Sequence, residues 1–131
     1  HDVSNCSQLE ELDCDNNSLN VLDVTNCTKI KHLNCHGNKI GNLDVSNCGL
    51  LDCLYCGSNM LTMLDVSGCS KLHKLECNSN QISNLDVSDC EELWMLFCTG
   101  NLLTSLDLTN CTRLFSLKCD SSVTVIGYEQ Q

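Results

Sequence analysis

Cysteine, leucine and asparagine recur along this chain at one interval of 21 residues, without insertion or deletion between positions 6 and 119. Residues 33–48, LNCHGNKIGNLDVSNC, contain most of one copy, and a shift of 21 in either direction lands the pattern on itself. A constant step of this kind marks a structural repeat, because disulfide frameworks close loops of unequal length and space their cysteines irregularly. Twelve of the thirteen cysteines fall into two such series. One holds Cys6, Cys27, Cys48, Cys69, Cys90 and Cys111, and the other Cys14, Cys35, Cys56, Cys77, Cys98 and Cys119. The cysteines are therefore read first as packing.

The full unit is LxxLxCxxNxLxxLDVSxCxx, as in residues 30–50. Alternation puts Leu33 and Cys35 on one face and Asn34 on the other, the period of a half-buried strand. Stacked copies then give a parallel sheet with strands ~4.8 Å apart. The second half of the unit also alternates, with Leu43 and Val45 inward and Asp44 outward, so a short second strand or extended segment is expected there. A coil of 21 residues leaves no room for a substantial helix on its return limb. The return limb supplies the covering layer that a parallel sheet needs.

This unit resembles the leucine-rich repeat, specifically the short bacterial class in which a cysteine replaces the third leucine. Listerial internalins with a cysteine ladder and surface proteins of gut bacteria look like this. The resemblance covers about residues 2–122 in six copies. It implies an α/β-type solenoid, mostly parallel β, with short extended or 3-10 return limbs and little helix. It also implies an inward ladder of Asn17, Asn38, Asn59, Asn80 and Asn101, a column of amides bonded to the backbone of neighbouring coils. Finally it implies binding through the inner curve of the sheet, at a bacterial surface or after secretion, with adhesion as the outcome.

After Asp120 the pattern fails. Ser122 replaces the asparagine, and Thr124 and Gly127 stand in columns that elsewhere hold leucine. Residues 123–126 alternate as a strand, so the expected division is a solenoid over 1–122 and a capping strand over 123–131. Solenoids need capping repeats at both ends. No cap precedes His1, so the reading is that an N-terminal cap is missing and the chain is part of a longer one.

With 17 acidic against 7 basic residues, binding to a nucleic-acid backbone is disfavoured. No run of apolar residues is long enough to span a bilayer.

Each candidate chemistry has a plainer reading beside it. Thiolate ladders could bind soft metals, but neither series offers the close ligand pairs of structural sites, and inward cysteines behave as small hydrophobes. Bridges along a ladder would need Cβ atoms nearer than the coil spacing. Cys53 alone lies off both series, on the outward side of its strand, and is expected to be a free, reactive surface thiol. His32, Asp52 and His73 lie near it in the stacked sheet, a conceivable zinc set without a second shell, for which chance is the better account. Asp2, Asp23, Asp44, Asp65, Asp86 and Asp107 form an outward column, each two residues before Ser or Thr. Bonds to the following turn explain that offset, and calcium between coils is the sharper alternative. No catalytic constellation or phosphate loop is present, so the chain reads as a binding module without a cofactor, and not as an enzyme.

Variation from copy to copy marks the surface that can carry specificity. Inward columns barely change, whereas the outward columns of the first strand do. One runs Glu10, Lys31, Asp52, His73, Trp94, Phe115; the next Glu11, His32, Cys53, Lys74, Met95, Ser116; the third Asp13, Asn34, Tyr55, Glu76, Phe97, Lys118. Trp94, Met95, Phe97 and Phe115 gather in the last two coils as a contact patch. Tyr55, His73, Lys74, Glu76 and Lys118 complete the candidate face. Its expected partner is a protein, with glycan stacking on Trp94 as a lesser alternative. A purely structural stalk and a metal- or thiol-binding surface are the competing classes.

Overall fold

The computed structural model describes residues 7–128. Six three-residue strands stack in parallel: β1 (Glu11–Asp13), β2 (His32–Asn34), β3 (Cys53–Tyr55), β4 (Lys74–Glu76), β5 (Met95–Phe97) and β7 (Ser116–Lys118). Register is regular throughout, for example Leu33 beside Leu54 and Leu75 beside Leu96, a step of one repeat at every pairing. No helix occurs among the described residues, and the solenoid has six coils. Leu33, Leu54, Leu75 and Leu96 are fully buried, each contributing about 1.5–3 kcal/mol of burial.

The chain leaves β1 to β5 through a residue in the left-handed region, at Asn16, Gly37, Ser58, Ser79 and Gly100. That turn aims the next side chain, the repeat asparagine, into the stack. Asn59 shows the pattern: Nδ2 donates to the carbonyls of Cys35 (2.9 Å) and Cys56 (3.1 Å), and Oδ1 accepts from Ile40 N (3.0 Å). Asn38, Asn80 and Asn101 repeat it one coil on either side and beyond. The amide column thus satisfies turn groups that strand pairing cannot reach.

The return limbs are extended, as expected, but among the described residues only two of them pair as strands. β6 (Ser105–Asp107) lies parallel to β8 (Thr124–Ile126). In the other coils a single backbone bond links successive limbs, such as Met60 N to Ile40 O at 2.9 Å. Tight turns then bring the chain back, with Cys48 N bonded to Val45 O (3.0 Å) and Leu51 N to Cys48 O (3.1 Å).

The register at the C-terminal end differs from the repeat arithmetic. Val125 sits opposite Leu106 and Thr124 opposite Ser105. The last limb is therefore two residues short, and Val125, not Gly127, fills the leucine column. Val123, Val125 and Tyr128 pack half-buried against the core. Gly127 (φ 75°) turns where any Cβ would meet Thr109.

The described members of both cysteine series face inward; Cys6 lies outside the described residues. Cys27, Cys35, Cys48, Cys56, Cys69, Cys77 and Cys90 are fully buried, and no disulfide joins two of the described cysteines. In the first series the thiols point at carbonyls of the preceding coil, Cys48 Sγ to Val24 O at 3.8 Å and Cys111 Sγ to Val87 O at 3.5 Å. A leucine there could fill space but could not donate.

Candidate functional site

The outward residues of the six-stranded sheet form one continuous face. Phe115 follows Trp94 across adjacent coils, their backbones joined by Phe115 N to Trp94 O at 2.9 Å. Phe115 is 71 % exposed and Trp94 37 %, whereas Met95 and Phe97 are half-buried. Two lysines lie over rings: Lys74 Nζ is 5.1 Å from the Trp94 ring centre and Lys118 Nζ 4.7 Å from that of Phe97. Each such contact is worth about 0.5–1 kcal/mol at a wet surface. These lysines cover Trp94 and Phe97 in part, and Phe115 has no such cap among the described residues.

The carboxylates of the middle coils are engaged internally. His73 Nδ1 lies 2.8 Å from Asp52 Oδ1, and its Nε2 lies 3.9 Å from Glu92 Oε1, which also meets Arg113 at 3.8 Å. Glu76 reaches back across β3's coil to His36, with Nδ1 to Oε1 at 3.2 Å, and accepts from Asn78 N at 2.9 Å. The crossing is open because residue 57 is glycine. A Cβ there would stand 2.7 Å from Glu76 Cδ, 2.8 Å from Oε1 and closer still to Oε2. Gly57→Ala is therefore expected to push the Glu76 carboxylate aside and cost about 1 kcal/mol, the upper end for an exposed pair. In a Glu76→Ala background the same change should cost almost nothing. Urea melts of the four proteins check this.

Sequence reasoning named Glu76 and missed its partner His36, together with Gly57, Glu92 and Arg113. The available signal was Gly57 itself, the only residue without a side chain in the column Asp15, His36, Gly57, Asn78, Thr99, Asp120.

Cys53 needs correction. It is 6 % exposed and not a surface thiol. Its Sγ approaches Asp52 Oδ1 at 3.9 Å, and it hydrogen-bonds with Tyr55 two residues along the same face. Burial pushes its pKa up, the Asp52 charge adds to that, and Lys74 opposes it. A raised pKa leaves less thiolate and hence less reactivity. Tyr55 is half-buried, and its hydroxyl is raised by burial first and by Cys53 next.

No group of three or more His, Cys, Asp or Glu side chains among the described residues is placed to hold a metal ion. In the aspartate column, Oδ1 of Asp44 accepts from Ser46 N (3.0 Å) and Oγ (2.6 Å). Asp107 does the same with Thr109 at 3.0 and 2.6 Å. These bonds, the hydroxyl's first, hold the Asp44, Asp65, Asp86 and Asp107 carboxyls below their ordinary pKa.

Apolar surface also lies outside the predicted face. Val21, Met63 and Leu102 are more than 60 % exposed and Met60 is 52 % exposed, on the turns and return limbs. They are separated along their columns by Lys39, Asn42, Gln81 and Asn84. No described helix is long and apolar enough to cross a membrane.

Neither a protein-family model nor a curated protein sequence matches the chain. Solved structures do. The functional domain of InlJ from Listeria monocytogenes, which includes a cysteine ladder, is 35 % identical with a TM-score of 0.68, over 93 % of this chain and 32 % of that one. The internalin InlF from Listeria monocytogenes is 26 % identical with a TM-score of 0.87, over 94 % of this chain and 37 % of that one. A leucine-rich-repeat protein of Leptospira interrogans, at 23 % identity and a TM-score of 0.86 over 94 % and 34 %, shares the fold. The chain spans about a third of the length of these three structures. With its coil step, inward asparagines and paired thiol columns, the chain is a leucine-rich-repeat solenoid of the cysteine-ladder type, similar to the bacterial internalin-type proteins.

Proposed function

We propose that this chain is a protein-recognition module of a longer bacterial surface or secreted protein, and that it binds its partner through the concave sheet around β4, β5 and β7. The observation that carries this is the uncapped, 71 % exposed Phe115 ring beside Trp94, on the face whose residues vary most from coil to coil. Aromatic side chains, Trp and Tyr above all, are the usual anchors of protein interfaces, and a contiguous exposed apolar patch on a repeat scaffold fits a contact surface. The module binds and does not catalyse, and adhesion is the outcome that the internalin-type neighbours suggest.

The test compares labelled wild-type protein with a Trp94→Ala/Phe115→Ala variant for saturable binding to cells. Phe115 is largely exposed and Trp94 partly so, so the variant should stay folded and lose little beyond the Lys74–Trp94 contact, about 0.5–1 kcal/mol. Binding should fall by about tenfold or more, the loss of a two-residue hot spot. Equal binding by both proteins would remove the concave-face reading. Binding that survives protease treatment of the cells would assign the ligand to a glycan.

A further inference from the structure

The concave face is electrically divided along the solenoid. At the β1 end, Glu10 pairs with Lys31 at 3.4 Å, but Glu11, Asp13 and Asp15 form no ion pair among the described residues. Asp15 is raised above its ordinary pKa, chiefly by a side-chain hydrogen bond with Asp13 and by that residue's charge; the nearby His36 opposes this weakly. Negative charge there is therefore unpaired among the described residues. At the other end the situation reverses. Asp52, Glu76 and Glu92 are engaged with His73, His36 and Arg113, and Asp120 accepts from Gly100 N at 2.9 Å. Lys74 and Lys118 meet rings instead of carboxylates. A ring offers a cation much less than a carboxylate does in a desolvated interface, so both ammonium groups are available to an incoming acid.

We infer that the partner segment is extended and bipolar: a carboxylate-bearing, aromatic-rich end lies on Lys74, Lys118 and Phe115, and a cationic end lies on Glu11 and Asp13. This rests on the concave-face reading above and adds to it the partner's chemistry and direction. Six strands at ~4.8 Å span roughly 24 Å, which an extended segment covers in about seven residues at ~3.3 Å each. The carboxylate displaces the lysines from the rings or bridges them, and in either case brings apolar groups against Trp94 and Phe115. The cationic end relieves the repulsion between Asp13 and Asp15.

The probe is a phage-displayed library of random peptides of roughly twelve residues, selected on the whole chain at low salt. Selected peptides should carry Asp or Glu beside aromatic residues at one end and Lys or Arg at the other. Synthesised, they should bind Lys74→Glu/Lys118→Glu about tenfold more weakly, and weaken with rising salt. A peptide whose acidic end is changed to lysine should prefer that variant to the wild type. Peptides that need Trp94 and Phe115 but ignore the charge changes would overturn the bipolar partner and leave concave-face binding standing. A selection that yields no binder, or binders indifferent to both sets of substitutions, would overturn both readings. Sedimentation showing self-association lost in Phe115→Ala would assign the face to a second copy and likewise overturn the inference.

Discussion

Raising the pH from 8 to 10 in reducing buffer is expected to unfold this protein at room temperature. The ordinary thiol pKa is 9.0, and burial lifts it in the folded chain to about 12 for Cys35, Cys48, Cys90 and Cys98 and to about 11 for Cys69 and Cys111. Cys56 and Cys77 are raised further in the same direction, with neighbouring thiols of the ladder adding to the burial. Between these values the unfolded chain loses protons that the folded chain keeps. Stability is therefore whole below pH 9 and falls as pH rises towards 11 or 12. At pH 10 each of the eight thiols costs somewhat over 1 kcal/mol, on the order of 10 kcal/mol together, which matches the whole stability of an ordinary domain. Urea titrations followed by circular dichroism at pH 8, 9 and 10 test this. A Cys56→Ala/Cys77→Ala variant should show a shallower decline, by about a quarter in this independent-site treatment. A midpoint constant from pH 8 to pH 10 would contradict it.

The same burial explains why the thiols belong to the fold's physics and not to its chemistry. Inward alternation was legible in the repeat, because the period of Leu33, Asn34 and Cys35 decides which face each side chain takes. What lies over a residue on the outward face was not legible. Cys53 lies on that face as alternation requires and is still buried, with Asp52 and Tyr55 against its thiol. Alternation reports direction; cover depends on the reach of neighbours. The His36–Glu76 contact escaped for a similar reason. It skips a coil, and a column-by-column reading compares only adjacent copies. The adjacency of Trp94 and Phe115 could be read from the column, but the folding of Lys74 and Lys118 over the rings depends on rotamers that no periodicity encodes. The C-terminal limb was misaligned because the arithmetic carried the constant step past Asp120. The two-residue shortening shows only in the pairing of Leu106 with Val125.

Removing one asparagine from the ladder should cost less than its bonds suggest, and removing two neighbours should cost more than twice as much. Asn59→Ala deletes the donors to the Cys35 and Cys56 carbonyls and the acceptor for Ile40 N. Yet Cys35 O still accepts from Asn38 Nδ2 at 2.9 Å, and Cys56 O from Asn80 Nδ2 at 3.1 Å. Only the Ile40 N–H loses its acceptor outright, so the expected cost is about 2–3 kcal/mol, the penalty for one buried unsatisfied donor plus lost packing. Asn80→Ala behaves alike, with Leu61 N as the orphan. The double variant removes both donors to the buried Cys56 carbonyl. It should therefore exceed the sum of the single costs by about 1–2 kcal/mol. Asn38 and Asn80 supply the control, because Asn38 serves the Cys14 and Cys35 carbonyls and Asn80 those of Cys56 and Cys77. Sharing neither acceptor, that pair should be additive to within about 0.5 kcal/mol. Urea denaturation of the single and double variants measures both couplings. Equal coupling for adjacent and skipped pairs would show that each amide stabilises its own coil alone. Coupling confined to adjacent pairs locates the cooperativity of the stack in the carbonyls that consecutive asparagines share.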